Sequence, residues 1–131
     1  MDVFQPTYNL FGHELTCKTI QVGSAFILER NVDHWVKNYF QPKGWSYNKI
    51  DTQRQHGFPD ILLLRKSNYI MIEDKLLRKK QLLSLEDDLK WQFGQLAFAK
   101  RSLSRGNNYL LCVGKNKTIA FIGDELCLDN V

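Results

Sequence analysis

The chain contains 131 residues, of which 44% are hydrophobic and 24% charged, and its 18 lysine and arginine residues against 14 aspartate and glutamate residues give a net charge of +4. This composition predicts one globular domain over residues 1–131, with its core at about 24–122, and excludes a disordered or low-complexity chain. No apolar run approaches the roughly 18 residues of a membrane span and the N-terminus lacks a secretory layout, so we expect a soluble intracellular protein without a membrane partner.

The first half of the chain predicts one helix and three strands. Residues 1–22 show no sustained period, and we expect them to be irregular. Apolar residues between Ala25 and Tyr39 recur at three- and four-residue steps, which predicts an amphipathic helix with Ser24 as its N-cap. The segment from Trp45 to Thr52 fits a first strand and is followed by an expected loop over 53–58.

Two apolar runs at 61–64 and 69–72, separated by residues 65–68, predict a β-hairpin in which Leu64 faces Tyr69. Both runs are apolar on both faces, which indicates strands covered by helices on each side.

The second half predicts a helix and two strands. Ser84, with Asp87 three positions later, resembles a capping box, and the helical spacing of the apolar residues after it predicts one core-facing helix from there to about Arg105, ended by Gly106. These apolar residues are Leu85, Leu89, Phe93, Leu96 and Leu103. Apolar segments at 109–113 and 118–122 predict two further strands joined by a turn over 114–117. The element order is therefore αβββαβ with an extra strand, which predicts an α/β fold with a mixed central sheet flanked by helices.

Charged residues at the ends of the hairpin strands form a candidate catalytic site. Alternate residues of a strand share a face, so Glu73 and Lys75 project together while Asp74 points away. If the hairpin turns through residues 65–68, Asp60 lies directly across from Glu73, with Cβ atoms about 4.5–5.5 Å apart. Two carboxylates this close repel each other unless a cation lies between them. Mg²⁺ fits, because it prefers oxygen ligands and usually takes one or two protein carboxylates.

Lys75 beside such an ion could orient the attacking water, help to deprotonate it or stabilise charge in the transition state, and these roles stay open. A Pro-Asp or Glu-x-Lys pair alone is common by chance, and a charged strand end is usually just exposed. The prediction depends on both motifs flanking one hairpin.

The sequence GFPD at 57–60 followed by IEDK at 72–75 resembles the PD-(D/E)XK nuclease superfamily, and within it the virus-type replication-repair nuclease (VRR-NUC) family. The resemblance covers roughly residues 24–114. It implies a restriction-endonuclease-like αβββαβ core and hydrolysis of phosphodiester bonds with Mg²⁺, for which Mn²⁺ is expected to substitute. It also implies action on branched DNA such as Holliday junctions, often by homodimers, and a viral member would work in the cytoplasm or nucleus of its host.

The resemblance also implies roles for individual residues. By position, Asp60 and Glu73 match the metal-binding carboxylates, the backbone carbonyl of Asp74 matches a further metal ligand, and Lys75 matches the catalytic lysine.

Two further positions match less specifically. Glu29 resembles an early glutamate of the family, although it could also be a solvated helix residue. A glutamine is expected on the helix after the Glu-x-Lys strand, where both Gln92 and Gln95 occur; the distance to Gly106 favours Gln95.

Basic residues that follow the acidic centre are candidate DNA contacts, because lysine and arginine bind phosphates without reading sequence. For any one cluster alone, solvated surface charge is the alternative. The candidates are Arg78, Lys79, Lys80, Arg101 and Arg105.

The sequence predicts a structure-selective DNA endonuclease and leaves two alternatives open. One is a nuclease specific for DNA ends or single strands. The other is a catalytically idle nuclease fold that binds DNA or inhibits a partner, against which the intact Asp60, Glu73 and Lys75 argue. Small size favours a homodimer, since a lone core of this length offers little surface to read a junction.

Overall fold

The computed structural model describes residues 2–50 and 57–131. Its elements are β1 (Thr7–Leu10), β2 (His13–Phe26), α1 (Glu29–Phe40), a 3₁₀ turn (Gln41–Lys43), β3 (Ser46–Lys49), β4 (Ile61–Arg65), β5 (Asn68–Leu76), α2 (Leu85–Asp88), α3 (Gln95–Ser104), β6 (Tyr109–Gly123) and α4 (Glu125–Leu128). From α1 to β6 the order is αβββαβ as predicted, with two helices in place of the second one.

A mixed six-stranded sheet of order β1-β2-β6-β5-β4-β3 forms the centre of the fold. Its neighbouring strands are antiparallel except β5 and β6, which are parallel. Apolar clusters cover both faces: one contains Val32 and Phe40 of α1, the other Ala99 and Leu103 of α3. The predicted α/β fold with a mixed sheet between helices is confirmed. None of the helices in the described ranges is long and apolar enough to cross a membrane.

β6 folds back on itself. Its residues 109–114 pair with β5 and its residues 118–123 with β2. A Cβ built on Gly123 would lie 3.1 Å from the carbonyl oxygen of Tyr109, whereas an extended strand of this length would hold its ends more than about 40 Å apart. Asn116, between the halves, has a φ of 52°, as turn residues often do. The predicted pair of strands and the turn between them are therefore present.

The β4–β5 hairpin has the predicted register, with Leu64 paired to Tyr69. The prediction that both faces are buried is confirmed for β5 and wrong for β4, because Leu64 is 44% exposed. β4 is the neighbour of the edge strand β3. On the sheet face that α3 covers, this helix packs over β6, which is two strands away from β4.

The expectation that residues 1–22 are irregular is wrong, because β1 and β2 form a hairpin whose second strand pairs with β6. Of the β2 side chains, only Leu15 and Phe26 are fully buried, so its apolar pattern is weak. Backbone pairing with β6 makes it a strand. Buried Tyr8 and Leu10 also extend the core beyond the predicted 24–122.

The first helix begins at Glu29, not near Ser24, because β2 continues to Phe26. The side-chain oxygen of Asn31 accepts a hydrogen bond from the backbone N–H of Leu28 at 2.8 Å and so satisfies a donor at the helix start. The strand expected from Trp45 is shorter, and its end at Thr52 and most of the loop after it lie outside the described residues.

The single helix expected from Ser84 to Arg105 is two helices. Ser84 does cap α2, accepting from the N–H of Asp87 at 3.3 Å. The chain then leaves the helix at Leu89, which is extended, and re-enters it after Gly94, which has a φ of +83°. The physical reason for the break is a hydrogen bond to β5, in which the backbone carbonyl of Lys90 accepts from Nζ of Lys75. Gly106, with a φ of +70°, follows the end of α3 as predicted.

Candidate active site

A small cavity of about 170 Å³ brings most of the predicted site residues together. It lies where β5 ends, beside the N-termini of α1 and α3. Its lining residues are Glu29, Asp33, Asp60, Ile61, Glu73, Asp74, Lys75, Gln92 and Gln95.

Lys75 is buried at the floor of this cavity, with 4% of its surface exposed. Its Nζ donates hydrogen bonds to the side-chain oxygen of Gln95 and to the backbone carbonyl of Lys90, each at 2.7 Å. The Nζ also lies 3.8 Å from Oε2 of Glu73 and 5.0 Å from the centre of the Trp91 ring. A buried ammonium is costly without such partners, so these contacts fix where Lys75 points.

Gln95 is the glutamine that contacts the lysine. Its Oε1 accepts from Lys75 and, at 2.8 Å, from the backbone N–H of Gln92. Gln92 also lines the cavity, but the hydrogen bond that links it to Gln95 uses its backbone. The structure therefore places Gln95, the residue favoured by the sequence, against Lys75.

Glu73 lies beside Lys75 and is 4% exposed. Its Oε1 has no hydrogen-bond partner among the described residues. Burial raises the pKa of Glu73 to about 8; Lys75 lowers it, and the charges of Asp60 and Glu29 raise it further. The side chain is thus a buried carboxyl with one oxygen unsatisfied, close to other carboxylates.

Asp60 enters the site from a loop that packs closely on the start of α3. Gly57 has a φ of +85°, and a Cβ there would overlap the carbonyl group of Gly94. The Phe58 ring packs edge-on against Phe98, with centroids 5.0 Å apart. Glycine is therefore needed at this close approach.

The predicted alignment of Asp60 with Glu73 is one residue beyond the strand pairing, which ends at Ile61 and Ile72. The carbonyl oxygen of Asp60 accepts from the N–H of Ile50 at 2.8 Å, which holds its backbone beside β3. Its side chain is exposed at the cavity rim and raises the pKa of Glu73, so the two carboxylates are electrostatically coupled.

Asp74 points to the opposite face of β5, as predicted, and is buried against Asp33 and Cys112. By distance and angle, neither of its carboxylate oxygens has a hydrogen-bond partner among the described residues. Burial is the main cause that raises its pKa, and the neighbouring carboxyl of Asp33 raises it further. The side chain therefore lies on the face opposite to Lys75, and the ligand that the resemblance implies is the backbone carbonyl of Asp74.

Asp33 is a cavity residue that the sequence analysis missed. It lies four positions after Glu29, and residues at this spacing share one face of a helix. Its Oδ2 accepts from Nζ of Lys49 at 3.2 Å. The helical spacing from Glu29 was the signal that could have identified it.

Glu29 is the first residue of α1 and lines the cavity. Burial is the main cause that raises its pKa, and the positive charges of Lys75 and Arg78 lower it. Its carboxylate thus belongs to the group around Lys75.

The predicted DNA-contacting residues fall into two separate regions. Arg78 and Lys80 are exposed in the loop after β5, where Arg78 is close enough to Glu29 to lower its pKa. Lys79 in the same loop is paired with Asp88, with 2.9 Å between Nζ and Oδ1.

Arg101 and Arg105 lie at the far end of α3. The helix starts at the cavity with Gln95, and the rise of about 1.5 Å per residue puts Arg105 roughly 15 Å further along its axis. The guanidinium of Arg101 lies 5.8 Å from the centre of the Phe98 ring. The structure brings these two arginines together with each other but not with the cavity.

The turn within β6 lies at the same end of the strands as Arg78 and carries two further lysines. The N–H of Leu77 donates to the carbonyl of Gly114 at 2.9 Å, so the loop after β5 leaves the sheet beside Lys115 and Lys117. Lys117 is exposed and Lys115 is half-buried. Arg78, Lys80, Lys115 and Lys117 therefore form a basic rim at this end of the sheet, and the charge of Arg78 reaches Glu29 in the cavity.

Among residues 2–50 and 57–131, no group of three or more histidine, cysteine, aspartate or glutamate side chains is arranged to hold a metal ion. The donors that the resemblance implies, two carboxylates and one backbone carbonyl, are a smaller set, of the kind that Mg²⁺ uses when water and substrate complete its shell.

Comparison with known proteins finds no matching family model and no matching curated protein. The function of the chain is therefore inferred from its motifs and from the geometry of the cavity.

Proposed function

We propose that this chain is a Mg²⁺-dependent nuclease that hydrolyses DNA phosphodiester bonds at the cavity of Glu73 and Lys75. One observation carries the proposal: a buried lysine, aimed by two hydrogen bonds of 2.7 Å, lies 3.8 Å from the buried carboxyl group of Glu73. Maintaining such a pair is costly for stability, and buried charged groups with displaced pKa values in a cleft are typical of catalytic sites.

The residues present fit a divalent cation. Oε1 of Glu73 has no hydrogen-bond partner among the described residues, and neighbouring carboxylates raise the pKa of Glu73. A cation would satisfy that oxygen and offset the repulsion. The carboxylates of Asp60 and Glu73 and the backbone carbonyl of Asp74 would hold it. A bound Mg²⁺ supplies a water of lowered pKa and polarises the phosphate.

Lys75 is positioned to stabilise negative charge. Both of its hydrogen-bond partners are carbonyl oxygens, and its third neighbour is a carboxylate. A protonated ammonium satisfies all three, so of the roles open to Lys75 this environment favours charge stabilisation and water orientation over proton removal. Gln95 is a positioning residue, because it acts by holding Lys75.

The substrate in this proposal is DNA, with branched DNA preferred. The basic rim would contact phosphates on either side of the scissile bond, which gives affinity without sequence preference. The preference for branch points follows from the resemblance to VRR-NUC nucleases.

A homodimer is part of the same proposal, since a branch point presents two arms that two copies could contact. Light scattering of the purified protein should then give twice the chain mass of 15.4 kDa. A single-chain mass at micromolar concentration, with cleavage retained, would show that one copy suffices.

The test is a cleavage assay on supercoiled, linear, single-stranded and four-way-junction DNA, with Mg²⁺ or with a chelator. Cleavage should require Mg²⁺ and be fastest on the junction. Glu73→Gln should lose activity, while Glu125→Gln, an exposed carboxylate on α4, should retain it. If the protein binds DNA equally with and without metal and cuts none of these substrates, the chain is an idle nuclease fold and the proposal is wrong.

A further inference from the structure

Phe93 is an exposed aromatic residue at the rim of the cavity. Its surface is 83% exposed, the largest fraction among the large hydrophobic residues of the described chain. It lies between Gln92, which lines the cavity, and Gly94, whose φ of +83° begins the turn into α3. Because the predicted helix is broken here, Phe93 is outside the apolar core that its spacing suggested.

The backbone on both sides of Phe93 is tied to the catalytic lysine. Gln95 Oε1 accepts from the N–H of Gln92 at 2.8 Å and from Nζ of Lys75 at 2.7 Å, and the N–H of Gln95 donates to the carbonyl of Gln92 at 3.1 Å. The carbonyl of Lys90 accepts from the same Nζ. Phe93 is thus held in a short turn at a set position relative to Lys75.

Single exposed apolar residues are common on protein surfaces, and Leu83 and Leu126, which are 60% and 79% exposed, lie away from the cavity lining. Phe93 differs in its place, one residue from the lining and three residues from the exposed Lys90. An aromatic ring with basic neighbours is the combination with which proteins bind nucleic-acid strands, because the ring stacks on a base while the cations contact phosphates.

We infer that Phe93 stacks on an unpaired base of the DNA strand whose phosphate enters the cavity, an inference that rests on the proposed function. Every base has a π-face, so the contact tolerates any sequence. A base inside a duplex is covered on both faces by its neighbours and offers no face to Phe93. The residue therefore selects substrates with unpaired nucleotides beside the scissile bond, such as single strands, flaps and branch points.

The experiment compares Phe93→Ala, Phe93→Trp and the matched control Leu126→Ala with the unaltered chain. Ca²⁺ replaces Mg²⁺ so that DNA binds with little cleavage. The ligands are a single-stranded oligonucleotide, a fork and a blunt duplex of one sequence, each carrying 2-aminopurine, whose fluorescence reports stacking.

Phe93→Ala should lose about 5- to 150-fold in affinity for the single strand and the fork, the factor for one lost stack, and little for the duplex. Phe93→Trp should restore the affinity and the fluorescence change, and Leu126→Ala should match the unaltered chain. Since stacking releases no counterions, the slope of log affinity against log salt should not change.

Two results overturn the inference alone: a chain that cuts DNA normally while Phe93→Ala binds every ligand unchanged, or an equal loss of affinity for duplex and single strand. Failure of the unaltered chain to cut any DNA with Mg²⁺ overturns the proposed function, and the inference with it.

Discussion

The Nζ of Lys75 lies 2.7 Å from the side-chain oxygen of Gln95, although the two residues are 20 positions apart in the chain. The contact exists because the chain leaves the helix after α2, lets the carbonyl of Lys90 reach the same Nζ, and restarts a helix at Gln95. The geometry of the candidate site therefore depends both on the strand that carries Lys75 and on the break between α2 and α3.

Replacing Gln95 by Ala should lower the cleavage rate about 10- to 100-fold, the usual range for residues that orient a metal-site group. It leaves a buried N–H of Lys75 and the N–H of Gln92 without acceptors, which should also reduce the free energy of unfolding by about 1–3 kcal/mol. Single-turnover kinetics and thermal unfolding measure the two effects. Gln92→Ala is the control, because its backbone contact persists; a larger loss in Gln92→Ala would reverse the assignment.

Asp60→Asn should abolish cleavage and leave DNA binding intact, because it removes a metal-ligand charge but little bulk. Binding without metal should improve slightly, since repulsion between the carboxylate and phosphate is removed. Cleavage assays and anisotropy measurements of DNA binding, made on one preparation, compare the two activities. Mg²⁺-dependent cutting at the unaltered rate would remove Asp60 from the metal centre.

Lys75→Ala should lower the rate by about 10²- to 10³-fold, the range for loss of one transition-state donor. Mg²⁺ binding should remain, because lysine is not a ligand in this arrangement. Calorimetric titration with Mg²⁺ decides the point, after circular dichroism has shown that the fold is kept. Loss of Mg²⁺ affinity in a folded variant would mean that Lys75 is needed to build the metal site.

Stability without metal should fall as the pH rises from about 5 to 8. The folded protein keeps the proton on Glu73 up to a pKa of about 8, whereas its ordinary pKa is 4.5, so the folded state binds more protons across this window. Asp74 and Glu29, whose pKa values are also raised, act in the same direction. The loss should be on the order of a few kcal/mol.

Thermal unfolding at each pH, with and without Mg²⁺, measures this effect. Mg²⁺ should stabilise more at pH 8 than at pH 5, because it binds the ionised carboxylates. The metal-free stability of Glu73→Gln should decline less as the pH rises. Asp88 does not interfere, since its pKa is lowered to about 2 and it titrates below the window. A metal-free stability that rises with pH would contradict the assignment.

Removing the cations of the basic rim should weaken binding to every DNA shape. Arg78→Ala with Lys80→Ala should reduce the slope of log affinity against log salt by up to about 0.9 per lost contact on duplex DNA. Lys79→Ala should have less effect, because its ammonium is already paired with Asp88. Arg101→Ala with Arg105→Ala is the comparison pair. A larger loss of DNA affinity in that double variant than in the rim variant would place the DNA path along α3.

Local patterns in the sequence were enough to predict the β4–β5 hairpin and the positions of the charged residues at its end. The register with Leu64 opposite Tyr69 follows from a short polar turn between two apolar runs, and the separation of Asp74 from Glu73 follows from the two-residue period of a strand. The cap at Ser84 is likewise a property of a few adjacent residues. Such features are fixed by backbone sterics and nearest neighbours.

Only the tertiary structure decided the features that depend on distant partners. β2 is a strand because β6 supplies its hydrogen bonds, and its largely exposed side chains give little apolar pattern of their own. The continuous apolar spacing through Leu89 and Phe93 predicted one helix, yet Leu89 is extended and the Lys90 carbonyl that follows it accepts from the buried ammonium of Lys75. Satisfying that buried charge outweighs local helix propensity, which is worth less than about 1 kcal/mol per residue.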